Sequence, residues 1–532
     1  MEALAKKALH IQGQMRANRA NWEATWDEVG RFVNPNKDDA SAGRARVKGR
    51  EKHFRLYDGS AIHYNELLAS ALHSMLTNPT AQWFELTTGD PEINKIPEVR
   101  EYLQKLVRKI HQLLNNSNFQ SEIHEVYLDL GSFGTGVLRM DEDEQLVFRF
   151  RSRPIYEVYI RTNAKGDVVG VSTDDKFTAR QIVEEYGEEA FGDKLEEVMK
   201  NPDNQYIVVH QVLPKEEYGD VDQGNPFNKP WASVHVLEEF CKVIRKKGFN
   251  EFPYAIPRWI KLSGEDYGRG PGMKALPDIR MINAMMKTTI QGAQKIVDPA
   301  LQVPDDAILG RVNTRPGALN AIRSGTKDEI RPILTGGQPG IGLDIMDNVR
   351  QRVKEAFFID QLQIRESDRM TATEINVRDD DRIRLLGPIV GRQYTELLKP
   401  MIARLLGIME RRGLMPEDMP DVLRGVRPEV YFSSQIAKAQ KIAEAQVVTQ
   451  FLATVGQVAT MFPAAGDNVD VDSMVRLLAE FYSVPEEALR KPEDRDKIRQ
   501  EQAAQMQQAQ EQEAMLNESQ AAKNMAGAQQ GA

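Results

Sequence analysis

Residues able to do chemistry are present, but not in the spacings that chemistry needs. Asp379-Asp380-Asp381 is a carboxylate triplet. On a helix, successive side chains point about 100° apart, so the three cannot converge on one metal ion. They read as a charged solvent or interhelix face. Asp141-Glu142-Asp143-Glu144 falls in a turn between strands and reads as solvated. The eight histidines are scattered; His10, His53, His63 and His73 form the densest set, without ligand-like spacing and without H-E-x-x-H. Cys241 is the one cysteine, so neither an internal disulfide nor a cysteine-based zinc site can form. Nothing matches G-x-x-x-x-G-K-[ST]; Gly325-Thr326-Lys327 and the glycines from Gly336 to Gly342 come nearest. Gly325, Gly336, Gly337 and Gly340 could cradle an anion, but no helix start carrying Lys-Thr follows them. The sequence therefore predicts no enzyme, no nucleotide motor, no metal and no cofactor. One basic run stands out: Arg44, Arg46, Lys48, Arg50, Lys52 and Arg55. It reads either as a solvated loop or as a contact with nucleic acid or an acidic neighbouring protein.

Composition limits the classes further. The chain has 532 residues, room for about two to four domains. It is 41% hydrophobic and 28% charged, which excludes wholesale disorder. A net charge of -9 argues against a sequence-reading DNA binder, which carries a strongly basic domain. Such a chain can still touch DNA through local arginines or surround it. The N-terminus lacks the apolar run of a signal peptide, and no stretch of about 18 apolar residues exists to span a membrane as a helix. An intracellular origin is expected.

Helical spacing marks residues 1 to 34, with Leu4, Ala8, Ile11, Trp22, Trp26, Val29 and Val33. It recurs over Asp58 to Leu76, over Val99 to Leu114 and over Phe119 to Leu130. From Val137 the period becomes two: Val147, Phe148 and Phe150 interleave with Arg149, Arg151 and Arg153. Strands are expected at Tyr206 to Leu213 and Val234 to Ile244, with a turn at Lys246-Lys247-Gly248-Phe249. Thr178 is a plausible cap for a short helix ending at Tyr186. Residues 137 to 260 thus form an α+β body in which strands dominate. Pro271 to Ile296 and Gly342 to Phe358 are two further helices. A compact Pro/Gly-rich insertion separates them, with short strands expected at Leu301 to Val303 and Ala318 to Ile322. Thr371 to Arg411 is a helical pattern of 41 residues, opened by a Thr371/Glu374 capping box. Fully helical, it would reach about 60 Å. Pro388 and Pro400 should bend it, each removing a backbone hydrogen bond. Gln435 to Met461 and Val471 to Tyr482 follow, and the tail from 501 to 532 holds 9 glutamines and 9 alanines.

Three ordered stretches carry a specific likeness. They are Leu262-Ser263-Gly264-Glu265-Asp266-Tyr267-Gly268-Arg269-Gly270-Pro271, continuing to Ala275-Leu276-Pro277-Asp278-Ile279; Asp298-Pro299 with Gln302-Val303-Pro304-Asp305; and Arg369-Met370-Thr371-Ala372-Thr373-Glu374-Ile375. Together with Trp22 to Pro35 and Gly131 to Leu138, they resemble the portal, or head-to-tail connector, proteins of short-tailed bacteriophages, over roughly residues 5 to 500.

The resemblance implies a ring of twelve subunits at one capsid vertex of the virion, assembled in the bacterial host cytoplasm. Double-stranded DNA would pass its channel during packaging, retention and ejection, without sequence reading. It implies the α+β portal fold: an N-terminal wing part (1–260), a first stem helix (261–296), a clip (297–340) and a second stem helix (341–359). A tunnel loop (360–370), a long helix with the rest of the wing (371–429), a crown (430–500) and a barrel extension or disordered tail (501–532) would complete it. Terminase, scaffolding protein, major capsid protein, tail adaptor proteins and internal core proteins are the implied partners, with no membrane. Arg365 and Arg369 would lie in the tunnel loop and become rings of positive charge facing DNA, although packing against Glu366 or Asp368 is the simpler reading. Strong binding would stall transport, since cation–phosphate contacts add up. The alternative is another ring-forming head-tail or tail structural protein.

Overall fold

The computed structural model describes residues 2–37, 56–218, 229–302, 331–332, 339–362 and most of 386–508. Two compact units emerge: Met1–Ala81 with His111–Leu414, and Gln82–Ile110 with Met415–Ala532. Helices α1 (Glu2–Val33) and α2 (Ser60–Leu76) come first, then β1 (Glu85–Thr87), α3 (Pro91–Asn94), α4 (Pro97–Asn116) and α5 (Phe119–Phe133). Strands β2 (Leu138–Asp143), β3 (Val147–Ser152), β4 (Val158–Thr162) and β5 (Val168–Thr178) lead to α6 (Ala179–Tyr186) and α7 (Leu195–Val198). Next are β6 (Gln205–Pro214), α8 (Lys215–Tyr218), β7 (Trp231–Leu237), β8 (Lys242–Phe249) and β9 (Tyr254–Ala255). Helix α9 (Pro271–Val297), β10 (Leu301–Gln302), β11 (Arg331–Pro332), α10 (Pro339–Ala356) and α11 (Ile359–Leu362) follow. Helix α12 (386–393) runs through wide turns at Tyr394–Leu398 into α13 (Lys399–Arg411). The last elements are β12 (Glu429–Tyr431), α14 (Gln435–Met461) and α15 (Val471–Phe481).

In the first unit, β4 to β8 form an antiparallel meander in sequence order. Its alternation is physical. Val209 and Leu213 of β6, Ala232, Val234 and Val236 of β7, and Val243 of β8 point to one face, where Leu4, Ala5, Ala8, Ile11 and Met15 of α1 cover them. This apolar seam is why α1 shows a helical stripe along its first half. Farther along α1, Arg19 is fully buried; its guanidinium lies 3.8 Å from the Tyr159 ring centroid and donates to the carbonyls of Tyr156 and Val158. The opposite face of the sheet is apolar at one end, where Ile182, Phe191 and Val198 meet Val208 and Leu237. Thr178 caps α6 in a full capping box with Gln181, as its sequence position predicts.

The expected turn at Lys246-Lys247-Gly248-Phe249 is not there. The chain reverses earlier, over Glu238–Phe240, with Cys241 at φ 48°. β8 then runs through Phe249, with Gly248 opposite Ala232. Pairing along β7 overrides the local turn preference of Lys-Gly, because each paired residue satisfies buried backbone groups.

Of the long pattern from Thr371, residues 371–385 and their capping box lie outside the described residues. From 386 the helix is continuous to Arg411, and Pro400 shows its effect. Its ring crowds the carbonyl four residues back, and the helix widens just before it: the Lys399 amide donates to Tyr394 O, five residues away. The strand expected at Leu301 to Val303 is seen as β10, paired with β11. The one at Ala318 to Ile322 lies outside the described residues.

The second unit is smaller. β1 pairs antiparallel with β12. Helix α4, which belongs to it up to Ile110, buries Leu103, Leu106, Val107 and Ile110 there, on the face its periodicity predicts. α14 packs against α15, and Arg499 grips Asp472 at 2.6 and 2.7 Å.

Candidate functional site

Every residue singled out by sequence for contact with DNA or a partner lies outside the described residues. This holds for Arg44, Arg46, Lys48, Arg50, Lys52 and Arg55, and for Arg365 and Arg369. The structure describes instead the hairpin of α9 and α10 and the joint that fixes it to the body.

α9 and α10 pack along Ile282, Met346 and Val349, with Met285 and Met286 against them. Polar contacts pin the base of the hairpin to the segment leading into α2. Asn283 Oδ1 accepts from the Tyr57 and Asp58 amides at 2.9 and 3.3 Å. Arg350 donates twice to Asp58 Oδ2, at 3.1 and 2.8 Å. Burial alone would raise the Asp58 pKa, but hydrogen bonds from Arg350 and Ser60 outweigh it and hold the carboxyl low. Arg352 pairs with Asp278 at 2.8 Å, so the two helices are also bridged directly. Farther out, Ile290, Ile296 and Val297 of α9 and Leu343 and Ile345 of α10 are exposed.

The joint is built by the motif from Leu262 to Pro271. Tyr267 sits under both tryptophans of α1, 5.8 Å from Trp22 and 5.0 Å from Trp26. This contact accounts for the two tryptophans spaced four apart. The glycines allow backbone to cross backbone. A Cβ on Gly270 would lie 2.7 Å from Gly134 N and 2.9 Å from Leu130 O, and one on Gly272 would lie 2.8 Å from Ser132 O. Gly134 itself is at φ 76°, ending α5 in the left-handed conformation that favours glycine. Three hydrogen bonds knit the crossing: Trp259 N to Gly134 O at 2.9 Å, Gly268 N to Thr135 Oγ1 at 2.8 Å, and Arg269 N to Ile260 O at 2.7 Å.

Arg258 locks the same region to the long helix. Its side chain is 2% exposed. It donates to both oxygens of Glu396, through Nε at 3.1 Å and Nη2 at 2.7 Å, while its backbone amide reaches Glu396 Oε2 at 2.9 Å. Glu396 projects from the wide turns before Pro400, so the irregular stretch of the helix is the stretch that holds the buried ion pair.

A second concentration of charge lies elsewhere on the first unit. Arg139, Asp141, Arg151, His235, Arg245 and Lys247 line a cavity of about 700 Å³ on the polar face of the β4–β8 sheet. Sequence spacing could not reveal it, because strand pairing brings these residues together. The only available signal was the alternation of Arg149, Arg151 and Arg153. Among the described residues, no group of three His, Cys, Asp or Glu side chains is placed to hold a metal ion. No helix among them is long and apolar enough to cross a membrane.

Comparison with known proteins gives a near full-length likeness. The family model for bacteriophage head to tail connecting protein matches residues 5–489. The chain is 28% identical to the portal protein of Salmonella phage epsilon15, covering 98% of this chain and 96% of that one. It is 27% identical to the probable portal protein of Bordetella phage BPP-1, covering 96% and 93%. The portal protein of Enterobacteria phage T3 is 21% identical over 64% of this chain and 63% of its own. A chain in the virion of a native gene transfer agent particle aligns over 84% of this chain and 98% of its own, at 13% identity and a TM-score of 0.36, too low to support a conclusion about fold. The match along almost the whole sequence places this chain in the family of bacteriophage head-to-tail connecting proteins.

Proposed function

We propose that this chain is the portal subunit of a short-tailed phage. Copies of it form a ring at one capsid vertex, through which double-stranded DNA is packaged, retained and ejected. The observation that carries this reading is the end-to-end likeness to the portal protein of phage epsilon15, within a family that connects head to tail. In this reading α9 and α10 are the stem, residues 297–340 the clip, 360–370 the tunnel loop and the β4–β8 body part of the wing. The ring holds twelve copies and docks a terminase, then tail adaptor proteins, while scaffolding and major capsid proteins meet its rim.

Two physical features support it. A single chain leaves Ile290, Ile296, Val297, Leu343 and Ile345 of the hairpin in water, together with Val447, Phe451 and Met461 of α14. Head-to-tail contacts repeated around a ring give such surfaces partners. The described part of the hairpin also carries charges of both signs, including Lys287, Lys295, Asp344, Asp347 and Lys354, and no continuous basic stripe. A passive conduit must not grip every phosphate that passes. Particle averaging of the purified protein by electron microscopy tests the proposal. Closed rings with a central hole wide enough for duplex DNA are expected; a monomer or an open filament would overturn it.

A further inference from the structure

Beyond its apolar end, the sheet face opposite α1 is polar. Thr173, His210, His235 and Arg245 stand in one row across β5, β6, β7 and β8. The two imidazoles stack with centroids 4.1 Å apart and planes 13° apart. His210 shares a hydrogen bond with Ser233 Oγ at 2.9 Å, and Arg139 Nη1 lies 3.3 Å from its Nδ1. The 700 Å³ cavity opens in front of His235 and Arg245, with Ser233 beside them. That volume falls in the range of small-ligand sites, about 300–1,000 Å³.

The charges in the cavity do not balance locally. Arg139 and Arg151 are directly opposite each other on β2 and β3. Like charges in that position destabilise a strand pair unless something lies between them. Asp141 comes within 2.7 Å of Arg139 Nε, yet that buried Nε–H has no aligned acceptor among the described residues. Arg245 is paired with Glu185 at 2.7 Å. Arg404 and Arg411 share one carboxylate, Glu251, at 3.0 and 2.8 Å. Arg151 and Lys247 line the cavity with no carboxylate partner among the described residues.

We infer that this cavity binds a small polyanion of the phosphate class. A guanidinium fork matches phosphate oxygens bidentately, and a phosphate between Arg151 and Lys247 supplies the counter-charge they lack. The shape excludes duplex DNA, since a rod cannot enter a concavity of this volume. The inference does not depend on ring formation, because all the lining residues belong to one unit of one chain.

Isothermal titration of the full chain with sodium pyrophosphate, at pH 7.5 and low ionic strength, is the test. One saturable site per chain is expected. The double variant Arg151→Gln/Lys247→Gln, altering two exposed side chains, should weaken it at least tenfold, about 1.4 kcal/mol. Arg149→Gln, on the same strand but paired with Asp143, should leave affinity unchanged. Heat that does not saturate below millimolar pyrophosphate, or affinity untouched by the double variant, would overturn the inference. Tighter binding of a tetraglutamate peptide than of pyrophosphate would also overturn it, assigning the cavity to an acidic protein segment.

Discussion

Lowering the pH from 7.5 to 5 should weaken this protein through one imidazole in a calculable way. His235 stacks on His210 and bonds to Tyr186, facing Arg139, Arg245 and Lys247. Burial pushes its pKa down from 6.5 to about 3, and the three cations push the same way. The folded protein therefore holds the ring neutral where the unfolded chain protonates it. Stability from this site is complete above pH 6.5 and is lost as pH falls toward about 3. At pH 5, 1.5 units below the unfolded value, the loss is about 2 kcal/mol, from 1.36 kcal/mol per unit. His210, fully buried and also held well below its ordinary value, adds to the loss. Urea unfolding followed by tryptophan fluorescence, on wild type and His235→Gln at both pH values, measures it. Carboxylates titrate in both proteins and cancel in the comparison. Wild type should lose about 2 kcal/mol more than the variant between pH 7.5 and 5. Equal losses would show that His235 is not held neutral and would refute the argument.

Other expectations follow from the joint and the hairpin. Gly134→Ala puts a side chain at positive φ against the Gly270 backbone and should cost more than about 3 kcal/mol, read as loss of cooperative unfolding or of soluble protein. Glu396→Gln leaves buried Arg258 without its counter-charge; a destabilisation of about 3–5 kcal/mol is expected in the same urea assay, and a change under about 1 would contradict the burial seen here. Asp58→Asn removes the charge that Arg350 grips at the hairpin base and should cost about 1.5–3 kcal/mol, with faster hydrogen exchange at the base of α9 and α10 as its local signature.

Much of this architecture was legible in the sequence because helices and strands carry their burial as a period. The seam of Leu4, Ala8 and Ile11, the buried face of α4 and the Thr178 cap all came from spacing alone. The glycines from Gly268 to Gly272 were visible as a motif, but not as a backbone crossing, since their partners lie more than a hundred residues earlier. The turn expected at Lys246 failed because a paired neighbouring strand outweighs local preference. The row of His210 and His235 depends on register: the residues are 25 apart, and neither has a spacing that marks it. Pro400 was expected to bend its helix; the structure shows the strain absorbed as a wider turn, and that turn presents Glu396 to Arg258.

The glycine crossing has a mechanical consequence. Joints made of side chains can slip, because rotamers change and repack. Here main chain lies on main chain, so there is little to rearrange, and the root of α9 is stiff. α9 is a rod of 27 residues, about 40 Å long, held by the glycine crossing at its first turn and again at Asn283 farther along. A load arriving from beyond Asn283 therefore meets the Asn283 and Arg350 contacts first, and only what passes them reaches α5 and Tyr267. Pro277, which removes one backbone hydrogen bond, lies between these two anchors, next to the Asp278–Arg352 bridge. The weak turn is thus splinted on both sides, and the crossing below it is left undeformed.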